Sequence, residues 1–171
     1  MDADGKNEKT LGDGILPVWS PDGRKILYSS FANGGNEIPA IYVMDADGTN
    51  GKKLADKGVA SAWSPNGKRI LYSSEGGGDQ AELFVMGADG SHSTQLTHTA
   101  DEMEFGSQWS ADGKRIFFTG FQKSAGPPRS QVYVMDTDGS NVQPLTKGDS
   151  GGFLGTGSGL MVLMSRMEHA H

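Results

Sequence analysis

The chain has 171 residues, 26 of them glycine, no cysteine and a net charge of −6. Its longest apolar run is LMVLM at 160–164, far short of the ~20 residues that a membrane-spanning helix needs. The acidic balance argues against a nucleic-acid binder, and the missing cysteines exclude a disulfide framework and a thiolate metal site.

The opening MDADGKNEK has no apolar stretch after a basic start, so the chain as given carries no secretory signal. From there the sequence repeats. WSPDGRKILYSS at 19–30 returns as WSPNGKRILYSS at 63–74 and as WSADGKRIFFTG at 109–120. IYVMDADG at 41–48 returns as LFVMGADG at 83–90 and VYVMDTDG at 132–139, and each unit closes on KKLA, TQLT or VQPLT. Trp19, Trp63 and Trp109 are 44 and 46 residues apart. A period of ~40–45 residues with four strands is the signature of a propeller blade.

The first blade is expected as strands at about 15–20, 25–30, 40–45 and 51–55, the second over 59–97 and the third over 105–146. Ser-Pro-Asp-Gly has the residue order of a type I turn, and Asp-Ala-Asp-Gly should close a second hairpin. KILYSS, AIYVM and their copies are apolar with little alternation, as middle strands buried on both faces should be. No stretch has a helical period. The fold class is therefore all-β, a β-propeller of four-stranded antiparallel blades in a single domain over 1–171, with three full blades and a partial or hybrid fourth.

Both ends fall inside a repeat. Residues 6–11 read as a solitary outer strand, and 151–165 as a degenerate hairpin in the next blade's phase. These pieces could join into a hybrid fourth blade, two chains could close a ring of seven or eight blades, or the chain could be a fragment. Self-association as a homodimer is the expected closure.

WSPDG(K/R)(K/R)I followed by IYVMDADG and a terminal LT resembles the WD-like repeat of TolB-type β-propellers, over about residues 1–148. The same repeat occurs in the propeller domains of prolyl-oligopeptidase-like enzymes. The resemblance implies a blade-shaped scaffold in a bacterial envelope or secreted protein, periplasmic or extracellular, that commonly binds proteins.

Gly148-Asp149-Ser150-Gly151-Gly152 looks like a serine-protease nucleophile stretch. That chemistry needs a histidine and a buried aspartate set apart in the chain, whereas His98 and Asp101 are three residues apart. Asp45, Asp47, Asp89, Asp136 and Asp138 in the DxDG turns lack the rest of a calcium loop and read as turn residues. GTGSG at 155–159 has no Lys-Ser/Thr after it and is no phosphate loop. His169 and His171 read as a frayed tail, the three tryptophans as blade packing, and Arg24/Lys25, Lys68/Arg69 and Lys114/Arg115 as a solvated ring on one face. No cofactor and no metal is expected.

Individuality lies in the loops of one mouth, at 31–39, 75–80, 97–106 and 121–130. They carry Glu37, Glu75, Asp79, His98, Asp101, Glu102 and Glu104, with Phe31, Phe105 and Phe121 as apolar anchors. The leading expectation is a non-enzymatic scaffold that binds a protein or peptide partner across this mouth, without nucleic acid or membrane insertion. The alternative is a hydrolase or lyase acting on a carbohydrate or peptide, with an acid–histidine site near His98, Asp101 and Glu104.

Overall fold

The turns set the frame. The Ser20 hydroxyl donates to Asp22 Oδ1 at 2.6 Å and accepts the Lys25 amide at 2.9 Å. Ser64 with Asn66, and Ser110 with Asp112, do the same. The glycine closing each turn has φ of 68–69°, a region a side chain disfavours. A hydroxyl, a short acceptor and a glycine thus fold each repeat into a hairpin at one fixed place.

In the computed structural model the described residues are 6, 8–31, 38–76, 80–122 and 129–146. They form three antiparallel four-stranded sheets, each in chain order. The first holds β1 (Ile15–Trp19), β2 (Lys25–Ser30), β3 (Ala40–Asp45) and β4 (Lys52–Ala55). The second holds β5 (Val59–Trp63), β6 (Arg69–Glu75), β7 (Ala81–Gly87) and β8 (Thr94–Gln95). The third holds β9 (Glu102–Trp109), β10 (Arg115–Gln122), β11 (Arg129–Asp136) and β12 (Gln143–Pro144). There is no helix among them. The all-β reading with four-stranded antiparallel blades holds.

The middle blade shows why its strands are apolar almost throughout. Ile70, Tyr72 and Met86 pack toward the first blade, with Leu27, Ile41, Val43 and Trp63. Leu71, Leu83 and Val85, one residue out of step, pack toward the third with Ile116, Phe118 and Met135. Alternation persists, but both sets are buried. At roughly 1.5–3 kcal/mol for each large apolar side chain, these two seams dominate the favourable side of folding. An aromatic pair stacks across the two middle strands of every blade, Tyr28 on Tyr42, Tyr72 on Phe84 and Phe118 on Tyr133, with centroids 5.2–5.5 Å apart.

The second glycine turn is a docking device. A Cβ on Gly90 (φ 89°) would lie 2.9 Å from the Leu54 carbonyl oxygen of the preceding blade. Gly139 meets Leu96 in the same way, and Gly48 meets Leu11. The strand expected at 6–11 is not formed: residues 6 and 8–11 carry no ladder. A ladder needs a neighbouring strand, and this segment rests instead on the Asp45–Gly48 turn, with Lys9 Nζ donating to the Asp47 carbonyl at 2.9 Å. Leu11 and Lys9 thus stand where Leu54 and Lys52 stand one blade later, since Lys52 Nζ donates to the Asp89 carbonyl at 2.8 Å.

The tryptophans split. Trp63 is 8 % exposed, and its indole N–H donates to the Val18 carbonyl at 3.3 Å. Trp109 is half-buried under the Arg69 guanidinium, 4.6 Å from its ring centroid. This takes Arg69 out of the solvated ring expected of the basic pairs. Trp19, at the same repeat position, is 57 % exposed because no described blade lies on it. Among the described residues each blade packs on its neighbour: β5 on β1, β2 and β3, and β9 on β5, β6 and β7. The expected hairpin at 151–165, GDSGG, GTGSG, His169 and His171 lie outside the described residues.

Candidate functional site

In this meander the β2–β3, β4–β5, β6–β7, β8–β9 and β10–β11 links gather at one end, and the glycine turns at the other. The link end is the expected mouth. Glu37 and Asp79 lie outside the described residues. Glu75, at the end of β6, is exposed and 3.4 Å from Lys57 Nζ. His98 and Asp101 are exposed on the β8–β9 link; Phe31, Phe105 and Phe121 are half-buried. Among the described residues no hydrogen bond joins His98 to Asp101 or Glu104.

Glu104 is not at the surface. It lies on β9, 1 % exposed, and faces Glu82 of β7, 5 % exposed. The reading of Glu104 as a mouth-facing carboxylate is thereby corrected. The register of β9 on β10, with Glu104 opposite Gly120, puts it inside the interface between the second and third blades. Thr97 stands between the two acids. Its hydroxyl accepts the Leu83 amide at 2.9 Å, is 2.8 Å from Glu82 Oε2, and is also hydrogen-bonded to Glu104 Oε2. Thr99 closes the other side: its amide donates to Glu82 Oε1 at 2.8 Å, and its hydroxyl is 3.1 Å from Glu104 Oε1. The Tyr133 hydroxyl donates to Glu102 Oε1 at 3.1 Å, which carries the network onto β11.

Burial pushes the Glu104 carboxyl up to about 7; the Glu82 carboxylate adds to this, while bonds from Thr97 and Thr99 oppose it. Burial, helped by Glu102, likewise pushes the Tyr133 phenol up to about 12. A cleft of about 270 Å³ opens beside the network, lined by Glu102, Gly120, Gln122, Arg129 and Gln131. Among the described residues the accessible ionisable groups of the mouth include Asp56, Lys57, Glu75, His98, Asp101, Glu102 and Arg129, beside a buried acid pair.

Glu82, Thr97 and Thr99 were not singled out from the sequence. The signal was present in the repeat register. Glu82 stands where the other blades have Ala40 and Gln131, and Glu104 stands where they have Gly14 and Gly58. Two departures facing each other across one interface mark the place where this copy of the repeat was individualised.

The turn end offers less. A cleft of about 670 Å³ lies there between the first two blades, with Asp22, Lys25, Lys52, Trp63, Pro65 and Asp89 in its wall. Lys25 is already paired with Asp45 at 2.9 Å, and Lys52 holds the Asp89 carbonyl. Asp47, Asp89 and Asp138 each accept the amide and hydroxyl of the residue two positions on, as turn residues do. No group of three or more His, Cys, Asp or Glu side chains placed to hold a metal occurs among the described residues.

Comparison with known proteins agrees with the blade architecture. The family model for the TolB beta propeller domain matches residues 1–169. The Tol-Pal system protein TolB of Thioalkalivibrio sulfidiphilus is 45 % identical over 58 residues, which are 32 % of this chain and 13 % of that protein. A structure of TolB from Acinetobacter baumannii superposes with TM-score 0.69 at 27 % identity, covering 87 % of this chain and 37 % of the other. A protein assigned as TolB from Agrobacterium tumefaciens gives TM-score 0.68 at 25 % identity, covering 80 % and 51 %. The chain spans about half or less of the length of these relatives.

Proposed function

Because this chain belongs to the TolB beta propeller domain family, we propose that it is a scaffold that binds a protein or peptide partner at the link end of its blades. The observation that carries this is the departure of the second and third blades from their own repeat at that end, beside an open cleft. The turn end, by contrast, keeps the serine–Asx–glycine turn and its two side-chain bonds in each of the three blades. The reading fits the Thioalkalivibrio relative, a Tol-Pal system protein. A periplasmic or extracellular setting goes with it.

Among the described residues the exposed or half-buried acids of the mouth are Asp56, which is paired with Lys53, and Glu75, Asp101 and Glu102, against Lys57 and Arg129. A basic peptide segment is the complementary partner. The test is fluorescence anisotropy with labelled lysine- and arginine-rich, neutral and acidic peptides of equal length. The basic set should bind, and E75Q/D101N/E102Q should weaken it about tenfold or more. Equal binding of all three sets, or no loss in the triple variant, would overturn the reading.

Self-association is the second part of the proposal. The first blade leaves Trp19 open, and the last leaves Leu145 54 % exposed. Leu54 and Leu96, at the Leu145 position, are covered by the next blade. The two open faces are therefore the two halves of the interface that the chain already uses internally. Two copies joined head to tail would close a ring of six described blades. Sedimentation of the full chain separates an 18.1 kDa monomer from a dimer.

A further inference from the structure

We propose that Glu82 and Glu104 share one proton across the interface of the second and third blades, and so form an acid-closed latch on the 97–101 link. The argument is a count of hydrogens. Thr97 Oγ1 accepts the Leu83 amide and sits in hydrogen-bond contact with one oxygen of each carboxyl. A hydroxyl carries a single proton, so it serves only one of them. The other contact needs a proton from the carboxyl itself.

The remaining bonds say which carboxyl holds it. Glu82 Oε1 accepts the Thr99 amide, a fixed N–H donor, so Glu82 is the better supported of the two as the carboxylate and takes the Thr97 hydroxyl on Oε2. The Thr99 hydroxyl is 3.1 Å from both Glu104 Oε1 and the Glu102 carbonyl, so its one proton is divided between them and Glu104 has no donor of its own; its Oε2–H donates to Thr97. The chain of donors runs Glu104, Thr97, Glu82. No ion pair reaches either acid among the described residues.

The surroundings offer no compensation for a second charge. On the elements packed against Glu104, β5 carries no ionisable group and β7 carries Glu82. On β6, Arg69 is at the turn end over Trp109, Tyr72 bonds Ser93, and Glu75 is exposed beside Lys57. On β10 and β11, Arg115 is paired in register with Asp136 at the turn end, Tyr133 bonds Glu102, and Arg129 is exposed in the cleft. His98 and Asp101 are exposed on the link itself. Burial, with Glu82 beside it, raises the Glu104 carboxyl to about 7, which places the change near neutrality.

Loss of the proton turns the Glu104–Thr97 contact into acceptor against acceptor and sets two carboxylates face to face. The link held by Thr97 and Thr99 is then released at the mouth. The latch is closed in mild acid and open above neutrality.

The experiment is residue-resolved hydrogen exchange of the full chain at pH 5.5 and 8.5, corrected for intrinsic exchange rates. Protection of the Leu83 and Thr99 amides should fall about tenfold or more at the higher pH. E104Q should abolish this dependence, because its amide donates to Thr97 at every pH. Wild-type protection that does not change with pH, or an E104Q variant that retains the fall, would overturn the latch. Should E104Q not fold, a carbon-detected titration of the wild-type carboxyls decides alone. A Glu104 midpoint near 7 supports the latch; a midpoint near the ordinary glutamate value sinks it.

Discussion

Trp19 and Trp63 occupy one repeat position in two opposite states, so the same substitution should have two different outcomes. Trp63 is 8 % exposed, packed among Leu27, Ile41, Val43, Ile70 and Met86, and its N–H is bonded to the Val18 carbonyl. Truncating such a side chain to alanine costs ~3–5 kcal/mol, most of it lost transfer energy and residual cavity. In a domain of this size that lowers the melting temperature by roughly 10 °C. Trp19 is 57 % exposed, and Trp19→Ala should cost less than ~1 kcal/mol in the monomer. If two chains close on each other, however, Trp19 becomes the Trp63 of the new interface, and the same change should weaken the dimer. The assay is thermal unfolding by circular dichroism over a hundredfold dilution series, with sedimentation at each concentration. Trp63→Ala should be costly at every concentration, and Trp19→Ala only where the wild type is dimeric. A Trp19→Ala loss as large as that of Trp63→Ala in fully monomeric samples would refute the reasoning, because it would mean that the chain already covers Trp19 by itself.

Three further outcomes follow from the geometry. Gly90→Ala adds left-handed strain and a Cβ 2.9 Å from the Leu54 carbonyl, whereas Gly23→Ala at φ 69° meets nothing within 4 Å. The first should cost ~2–4 kcal/mol and the second ~1–2 in urea unfolding. Leu16 holds a left-handed φ of 52° at the β1 bulge and is partly exposed, so Leu16→Gly should be neutral or stabilising by up to ~1 kcal/mol in the same assay. Stability should peak in mild acid. The raised Glu104 carboxyl means that the folded state binds more protons than the unfolded one between about 4.5 and about 7, so its contribution is full below 4.5 and lost as pH rises through 7. That loss is at most ~3 kcal/mol. Asp22, Asp47, Asp89, Asp112 and Asp138 are held low mainly by serine or threonine hydroxyls, so their contribution has the opposite sign and disappears as pH falls through their lowered values. Urea midpoints from pH 3 to 9 should therefore trace a dome whose alkaline side flattens in E104Q.

The parts of this fold that were legible in the sequence are those fixed by local chemistry. Ser20, Asp22 and Gly23 define a turn within a few residues, and the period of the repeat then places every strand. The parts that were not legible depend on what stands across an interface. Glu104 looked like a loop carboxylate because a run of charged and polar residues at 97–106 reads as solvated. It is buried because β9 begins at Glu102, earlier than the repeat suggested, and carries Glu104 inward opposite Gly120. Glu82 gave no local signal at all, being one acid at the head of an apolar strand. Trp19 differs from Trp63 only in what covers it.

These differences share one physical cause. A propeller blade is an almost closed local unit along its strands and an open one across its faces. Properties set along the chain repeat faithfully, while properties set between blades depend on which two copies meet. The seam between the first and second blades is apolar at the mouth end, with Pro39 and Ala40 opposite Gly58. The seam between the second and third has two acids, two threonines and a tyrosine in the corresponding place. An apolar seam is indifferent to pH and holds its blades at a fixed spacing. A seam that depends on one proton is conditional, because a buried acid pair is tolerated only while it is neutralised. If binding at the mouth requires the 97–101 link to stay folded against Glu82, partner affinity and proton occupancy are coupled. A basic peptide should then bind E104Q with the same affinity at pH 5.5 and 8.5, while the wild type weakens at the higher pH. Identical pH profiles for the two proteins in the anisotropy assay would show that the latch and the binding surface act separately.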